Sequence, residues 1–280
     1  REMKLGLIGI GNMGSAIVNG YLAANPGKEK DVFAFDQDKA RLKTLAKELG
    51  IRGCSDSVNA VIQSDVLILA VKPDKVAEVL QEIAPFIDWE EKVLVSIAAG
   101  VSIGFIESLC NEYSGDKEKT NDFRCKVVRV MPNTPALVGK GMSALCRNSQ
   151  VGEEEFKDVL DLFSSIGKAE EVDERLMDCI VGVSGSSPAY VYLFIEALAD
   201  GAVAQGMSRK QAYIFAAQSV LGSAEMVLQT GIHPGELKDM VCSPGGTTIE
   251  AVKDLERNGF RYAVMEAVRV ASEKSKAMKK

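Results

Sequence analysis

The segment Gly9-Ile-Gly11-Asn-Met-Gly14 constrains this chain more than any other. It follows a short apolar run, Lys4-Leu-Gly-Leu-Ile8, and opens a helical pattern over residues 13–24. Strand, G-x-G-x-x-G and helix in that order make a dinucleotide-binding turn. The glycines allow a tight turn, admit a pyrophosphate close to the backbone and let the helix pack on the strand. Amides at the helix start then hold the anion. On this reading Gly9, Gly11, Asn12, Met13 and Gly14 contact a dinucleotide. The plain alternative is a glycine-rich turn without a ligand, and the strand–turn–helix context weighs against it.

The rest of the first half repeats the alternation. Asp31-Val-Phe-Ala-Phe35 reads as a strand and residues 38–49 as a helix. Val66-Leu-Ile-Leu-Ala70 and Lys92-Val-Leu-Val-Ser-Ile97 are continuous apolar runs, which suit strands buried on both faces of a parallel sheet. Lys126-Val-Val-Arg-Val130 is a further strand and Ser143-Ala-Leu-Cys146 a weaker one. Residues 111–122 are polar and read as a surface loop. Beyond Val172 only helical periodicity remains, from Glu174, Ser187, Ser208 and Thr247, broken by glycine and proline. The expected architecture is an α/β Rossmann-type doubly wound parallel sheet followed by an all-α domain, residues 1–168 and 169–280.

Composition narrows the function. The 280 residues fit about two domains. Thirty-three Lys and Arg against 39 Asp and Glu leave a net charge of −6, so no basic excess exists to neutralise nucleic-acid phosphates. At 46% hydrophobic residues the chain can bury a large core. Six dispersed cysteines without a C-x-x-C pair indicate neither a zinc site nor a redox couple. With no secretory apolar segment, a cytoplasmic setting is expected. Arg1 and Glu2 ahead of Met3 read as a remnant upstream of the natural start. The most apolar stretch, residues 189–204, carries Glu196 and Asp200 and is expected to be a buried helix, not a membrane span.

Several residues outside the first turn are candidates for chemistry. Asp36 ends the second strand about twenty residues beyond the glycines, where a carboxylate can accept from an adenosine 2′-hydroxyl and repel a 2′-phosphate. The competing reading is that Asp36 or Asp38 only caps the next helix. Ala70-Val-Lys-Pro73, Ala98-Ala-Gly100 and Met131-Pro-Asn-Thr-Pro135 follow strands at the carboxyl edge, where open α/β sheets bind ligands. Small residues at 98–100 leave room for a flat nicotinamide, and Asn133 and Thr134 offer polar contacts. In the helical half, Thr247-x-x-Glu250 fits a capping box. Two glycines and two threonines before a helix also fit a small-anion pocket, with amides near Gly246 to Thr248 receiving a carboxylate. Ser187 is expected to cap a helix with Pro188 at its first position, and His233 to serve helix entry.

The order of these pieces resembles the pyrroline-5-carboxylate reductases, which make proline. The matching segments are Ile8-Gly-Ile-Gly-Asn-Met-Gly14, Ala70-Val-Lys-Pro73, Ala98-Ala-Gly100, Met131-Pro-Asn-Thr-Pro135, Val183-Ser-Gly-Ser-Ser-Pro-Ala-Tyr190 and Asp239-Met-Val-Cys-Ser-Pro-Gly-Gly-Thr-Thr248. The resemblance implies a Rossmann domain and an all-α dimerisation domain whose helices interlock between subunits, in a homodimer that can build larger rings. It implies 1-pyrroline-5-carboxylate as substrate and NADPH or NADH as cofactor, with a substrate pocket partly from a neighbouring subunit. Thr248 takes the substrate-contacting role, with Ser243, Gly246 and Thr247 beside it, and Ala70, Lys72, Pro73 and Ala99 join the cofactor contacts. Asp36 departs from the neutral residue many members carry there, and tilts the expectation toward NADH.

The chemistry fits independently. Ketone reduction calls for a strong proton donor at the carbonyl oxygen, and the helical half has only His233. A cyclic imine is basic enough to be protonated before hydride arrives, so orientation and carboxylate anchoring suffice. Two rivals remain. A β-hydroxyacid dehydrogenase needs a catalytic lysine in the helical half, and Lys210, Lys238 and Lys253 lack a supporting motif. A cofactor-sensing protein without turnover has no use for an anion pocket. No nucleic-acid or membrane partner and no metal is expected.

Overall fold

The computed structural model describes residues 3–114 and 124–278. The expected loop over residues 111–122 falls mostly outside these. Two compact units divide the chain, Arg1–Gly185 with Ala271–Lys280, and Ser186–Val270.

The first unit is built on a sheet of eight strands. These are β1 (Leu5–Ile8), β2 (Val32–Phe35), β3 (Arg52–Gly53), β4 (Val66–Leu69), β5 (Val93–Ser96), β6 (Lys126–Met131), β7 (Gly141–Arg147) and β8 (Gly167–Glu171), in spatial order β3-β2-β1-β4-β5-β6-β7-β8. All neighbours pair in parallel except β6 and β7, which are antiparallel. Strand order reverses between β1 and β4, and in such sheets ligands bind at that switch point, outside the carboxyl ends. The apolar runs behave as expected: β1, β4 and β5 are buried along their whole length. Helices cover both faces: α1 (Asn12–Ala24), α2 (Lys39–Leu49), α3 (Ser57–Gln63), α4 (Val76–Ile83), α5 (Ile103–Tyr113), α6 (Glu153–Ser164) and the single turn α7 (Met177–Ile180). Two apolar cores result, one holding Leu5, Leu7, Ile17 and Phe163, the other Leu67, Leu69, Leu80 and Ile106.

Two strands escape a reading by apolar runs. β3 has two exposed residues, and β8, Gly-Lys-Ala-Glu-Glu, is polar. Both are edge strands held by one neighbour, so hydrogen bonding and not burial defines them. Because β8 pairs with β7, the sheet runs past residue 168.

The second unit comprises α8 (Ser187–Ala204), α9 (Arg209–Thr230), α10 (Pro234–Val241), α11 (Thr247–Arg257) and most of α12 (Phe260–Ala277). Gly259, at φ +73°, separates α11 from α12, where periodicity alone suggested one helix. A π-helical turn, Val181–Gly185, leads into α8, so Ser186 is already helical when α8 begins. The N-cap is therefore Ser186, not Ser187, and no side chain caps the helix.

Within this unit the small core is alanine-based: Ala199 on α8 against Ala212 and Ala216 on α9. The expectation of a buried helix over residues 189–204 does not hold within one chain. Leu193 is 67% exposed and Phe215 66%, with Tyr192, Met226, Met240 and Met265 also outward. Residues Glu174–Ala204 are long and apolar enough to cross a membrane by length and composition alone. The periodicity reading assumed that apolar means covered by the same chain; here Ala199 alone of α8 is buried.

Candidate active site

The turn after β1 is fixed by backbone contacts. Gly9 N–H donates to the Phe35 carbonyl at 2.8 Å, and Ala70 N–H to the Ile8 carbonyl at 2.9 Å. Gly9 has φ +96°, and a Cβ there would collide with the Ala70 carbonyl oxygen. A Cβ on Gly14 would collide in turn with the Gly9 carbonyl oxygen. These two glycines therefore serve the roles the motif assigns, one bending the chain and one seating α1 against it. Gly11 is the N-cap of α1, with no side-chain cap and no acid in the first turn. The first amides of α1, at Asn12 and Met13, point along the helix axis with no carbonyl of their own helix to bond. That end suits a diphosphate.

Beside the turn lies a cavity of about 320 Å³, lined among others by Gly9, Gly11, Asp36, Ala70 and Lys72. The structure thus gathers five of the sequence candidates on one hollow at the switch point. Asp36 is 13% exposed. Its Oδ2 accepts from Ile10 N–H and its Oδ1 from Asp38 N–H, both at 2.8 Å. The cap of α2 is Asp38, whose Oδ1 accepts from Arg41 N–H at 3.0 Å. That hydrogen bond holds the Asp38 carboxyl below the usual range. Asp36 instead ties the end of β2 to the glycine turn. A carboxylate has about four acceptor positions, so capacity for ribose hydroxyls remains.

The remaining cofactor candidates, Asn12, Met13, Gly14, Pro73, Ala99 and Asn133, are not among the residues that line this hollow. Pro73 starts a 3₁₀ turn after Lys72. Ala99 is exposed on the loop after β5, between buried Ala98 and Gly100 at φ +74°. The Met278 carbonyl lies 3.6 Å from a Cβ placed on Gly100, a neighbour that no sequence pattern indicated. Asn133, after β6, has its side chain engaged: Oδ1 accepts from Met142 N–H at 2.8 Å and Nδ2 donates to the Ser184 carbonyl at 3.0 Å. It braces the loop against the π-turn. Arg41, Ser57, Glu78 and Glu82 also line the cavity and were missed by the sequence reading. Asp38-x-x-Arg41 on the first turn after the β2 acid was the available signal.

Ser243, Gly246, Thr247 and Thr248 lie in the second unit, at the bend between α10 and α11. Gly245 takes φ +64°, and Gly246 N–H closes the bend onto the Ser243 carbonyl at 3.0 Å. The helix begins at Thr247 with Gly246 as cap, so Thr247 is the first helical residue and the expected capping box does not form. Thr248 is half-buried. The amides of Thr247 and Thr248 open the helix, where orphan donors favour an anion.

His233 is the N-cap of α10, its Nδ1 accepting from Gly235 N–H at 3.0 Å. Glu196 and Asp200 are exposed, and Asp200 pairs with Arg209. Lys238 and Lys253 pair with Asp239 and Glu250 on their own helices. Among the described residues no group of His, Cys, Asp and Glu could hold a metal ion. Four of the six cysteines are buried, and burial pushes the Cys146 thiol up to about 12.

Comparison with known proteins adds the decisive observation. Residues 174–278 match the family description "Pyrroline-5-carboxylate reductase dimerisation", and residues 4–100 match "NADP oxidoreductase coenzyme F420-dependent". The pyrroline-5-carboxylate reductase of Escherichia coli (strain K12) is 46% identical over 279 residues, covering 100% of this chain and 99% of its own. The chain is a member of the pyrroline-5-carboxylate reductase family. The Coxiella burnetii pyrroline-5-carboxylate reductase structure superposes with a TM-score of 0.90 at 30% identity, covering all of both chains. The Plasmodium falciparum enzyme, solved with NADP bound, gives 0.83 at 39% identity, covering 100% of this chain and 99% of its own. Both halves of the sequence thus have counterparts in this reductase family, in the same order.

Proposed function

We propose that this protein reduces 1-pyrroline-5-carboxylate to L-proline with NAD(P)H. The observation that carries the reading is full-length identity of 46% to a reductase of that name, joined to a dinucleotide turn in which Gly9 and Gly14 admit no side chain. The family's domain organisation divides the labour, the cofactor with residues 1–168 and substrate and dimer contacts with residues 169–280.

The dinucleotide fits residues present here. Gly9, Gly11, Asn12, Met13 and Gly14 receive the diphosphate, Asp36 the adenosine ribose, and Ala70, Lys72, Pro73, Ala99 and Asn133 border the remainder. Bound there, a reduced nicotinamide supplies a hydride. The Thr247 and Thr248 amides, with Ser243 and Gly246 at the bend, anchor the substrate carboxylate, and the Thr248 hydroxyl orients the ring nitrogen. The imine enters protonated, so the electron pair of its C=N bond moves onto nitrogen as the carbon accepts hydride. A neutral amine results, and no side chain need supply a proton at that step. Lys238 and Lys253 are paired on their own helix surfaces, which disfavours either as the acid a hydroxyacid dehydrogenase needs.

Asp36 favours NADH, because a carboxylate accepts from a 2′-hydroxyl and repels a 2′-phosphate. The exposed apolar faces of α8 and α9 are covered by the same helices of a second copy, in an interlocked dimer able to assemble into rings. We place the enzyme in the cytoplasm, without membrane or nucleic-acid partners. The test is coenzyme oxidation with pyrroline-5-carboxylate against a panel of hydroxy and keto acids. Turnover with the imine alone supports the reading; turnover only with the acids ends it.

A further inference from the structure

We propose that Arg41 is the residue that lets this site accept a 2′-phosphate despite Asp36, and so sets its coenzyme ratio. The inference rests on the reductase reading and extends it to one subsite.

The β2 acid marks where an adenosine ribose presents its 2′ position. In this chain both Asp36 oxygens already accept a backbone amide, which fixes the carboxylate in place. A 2′-phosphate placed beside it meets repulsion unless a cation stands within a few ångströms. Arg41 supplies one. Its Nη1 lies 4.0 Å from Asp36 Oδ2 and 3.8 Å from where a Cβ on Gly11 would stand. The guanidinium therefore borders both the acid and the phosphate-binding turn.

Its restraint is light. Arg41 Nη2 meets Asp38 Oδ2 at 3.3 Å, and the Arg41 side chain is 51% exposed. Such solvated pairs hold weakly, so the guanidinium can turn from the carboxylates to an incoming phosphate. Its planar fork suits two phosphate oxygens at once. The other cations on the cavity do not compete. Lys75 ends the 3₁₀ turn that follows β4, as Lys72 precedes it. Lys72 follows β4, on the far side of β1 from β2 and Asp36. With NADH, Arg41 rests against the two aspartates and Asp36 accepts from the 2′-hydroxyl. With NADPH, Arg41 moves to the phosphate and offsets the charge of Asp36.

The experiment compares kcat/KM for NADPH and NADH in wild type, Arg41→Ala and Arg41→Lys. Alanine is a good helix former on the exposed first turn of α2, so folding is retained. The NADPH/NADH ratio is expected to fall by about tenfold or more in Arg41→Ala, with Arg41→Lys between, since lysine keeps charge without the fork. A ratio unchanged within about twofold, or an equal loss for both coenzymes, overturns the proposal. Calorimetry with adenosine 2′,5′-bisphosphate and adenosine 5′-monophosphate reads the subsite without turnover. The preference for the bisphosphate is expected to vanish in Arg41→Ala; its survival sinks the assignment. An Arg41-dependent preference without turnover of pyrroline-5-carboxylate would leave this subsite standing and remove the reductase reading instead.

Discussion

Single atoms make both ends of the proposed reaction testable. At the substrate end, Thr248 presents both an amide at a helix start and a hydroxyl. Thr248→Ala keeps the amide but removes the hydroxyl along with the γ-methyl, so kcat/KM for the imine should fall about 10- to 100-fold, the loss expected for one hydrogen bond to a charged group. Thr248→Ser should recover most of it, and equal steady-state values for wild type and Thr248→Ala would remove the role. At the cofactor end, Asp36 predicts that the wild-type enzyme has a higher kcat/KM with NADH than with NADPH. Asp36→Asn keeps one of the two amide-accepting oxygens and drops the charge, and should move the ratio toward NADPH. A wild type strongly favouring NADPH would contradict this role for Asp36.

Elements in this chain begin and end on short-range chemistry. Asp38 caps α2 and Asp56 caps α3, each accepting a backbone amide that holds its carboxyl below the usual value of 3.8. A depressed folded-state value means that the contribution is present above the unfolded value and fades as pH falls through the folded one. Thermal unfolding followed from about pH 5 to about pH 2 should therefore show wild type losing more Tm than Asp38→Asn with Asp56→Asn, whose amides cap without titrating. Parallel curves would show that neither carboxylate contributes. The β1–α1 junction makes a different prediction. In Gly14→Ala the new methyl meets the Gly9 backbone oxygen, which cannot yield without moving the turn. Overpacking of this kind costs about 1–3 kcal/mol. Chemical denaturation should register that loss, and coenzyme titration should show weakened binding. Native stability with native binding would mean that the turn absorbs the methyl.

At the scale of the molecule, exposed apolar area dominates. Leu193, Phe215, Tyr192 and Leu221 are outward on α8 and α9. Isolated apolar side chains on a surface need no explanation, but whole helix faces of them do. Light scattering should find a dimer or a multiple of it, and Leu193→Glu should shift the population toward monomer with loss of activity. A wild-type monomer at assay concentration would leave these faces unexplained by self-association.

The amino-acid sequence by itself determined what depends on local rules. The Gly9-to-Gly14 turn, the buried strands β1, β4 and β5, and the glycine and proline breaks of the second half follow from sterics and periodicity within a few residues. The candidate site was legible to the same degree: Gly9, Gly11, Asp36, Ala70 and Lys72 were nameable in advance and share one cavity. Tertiary structure alone decided what depends on partners far along the chain. It gave β3 and β8 their place, because a polar edge strand exists only through its neighbour. It turned Asn133 into a brace to Ser184, 51 residues on. It also left α8 uncovered, because a sequence records which side chains avoid water but not which surface shields them.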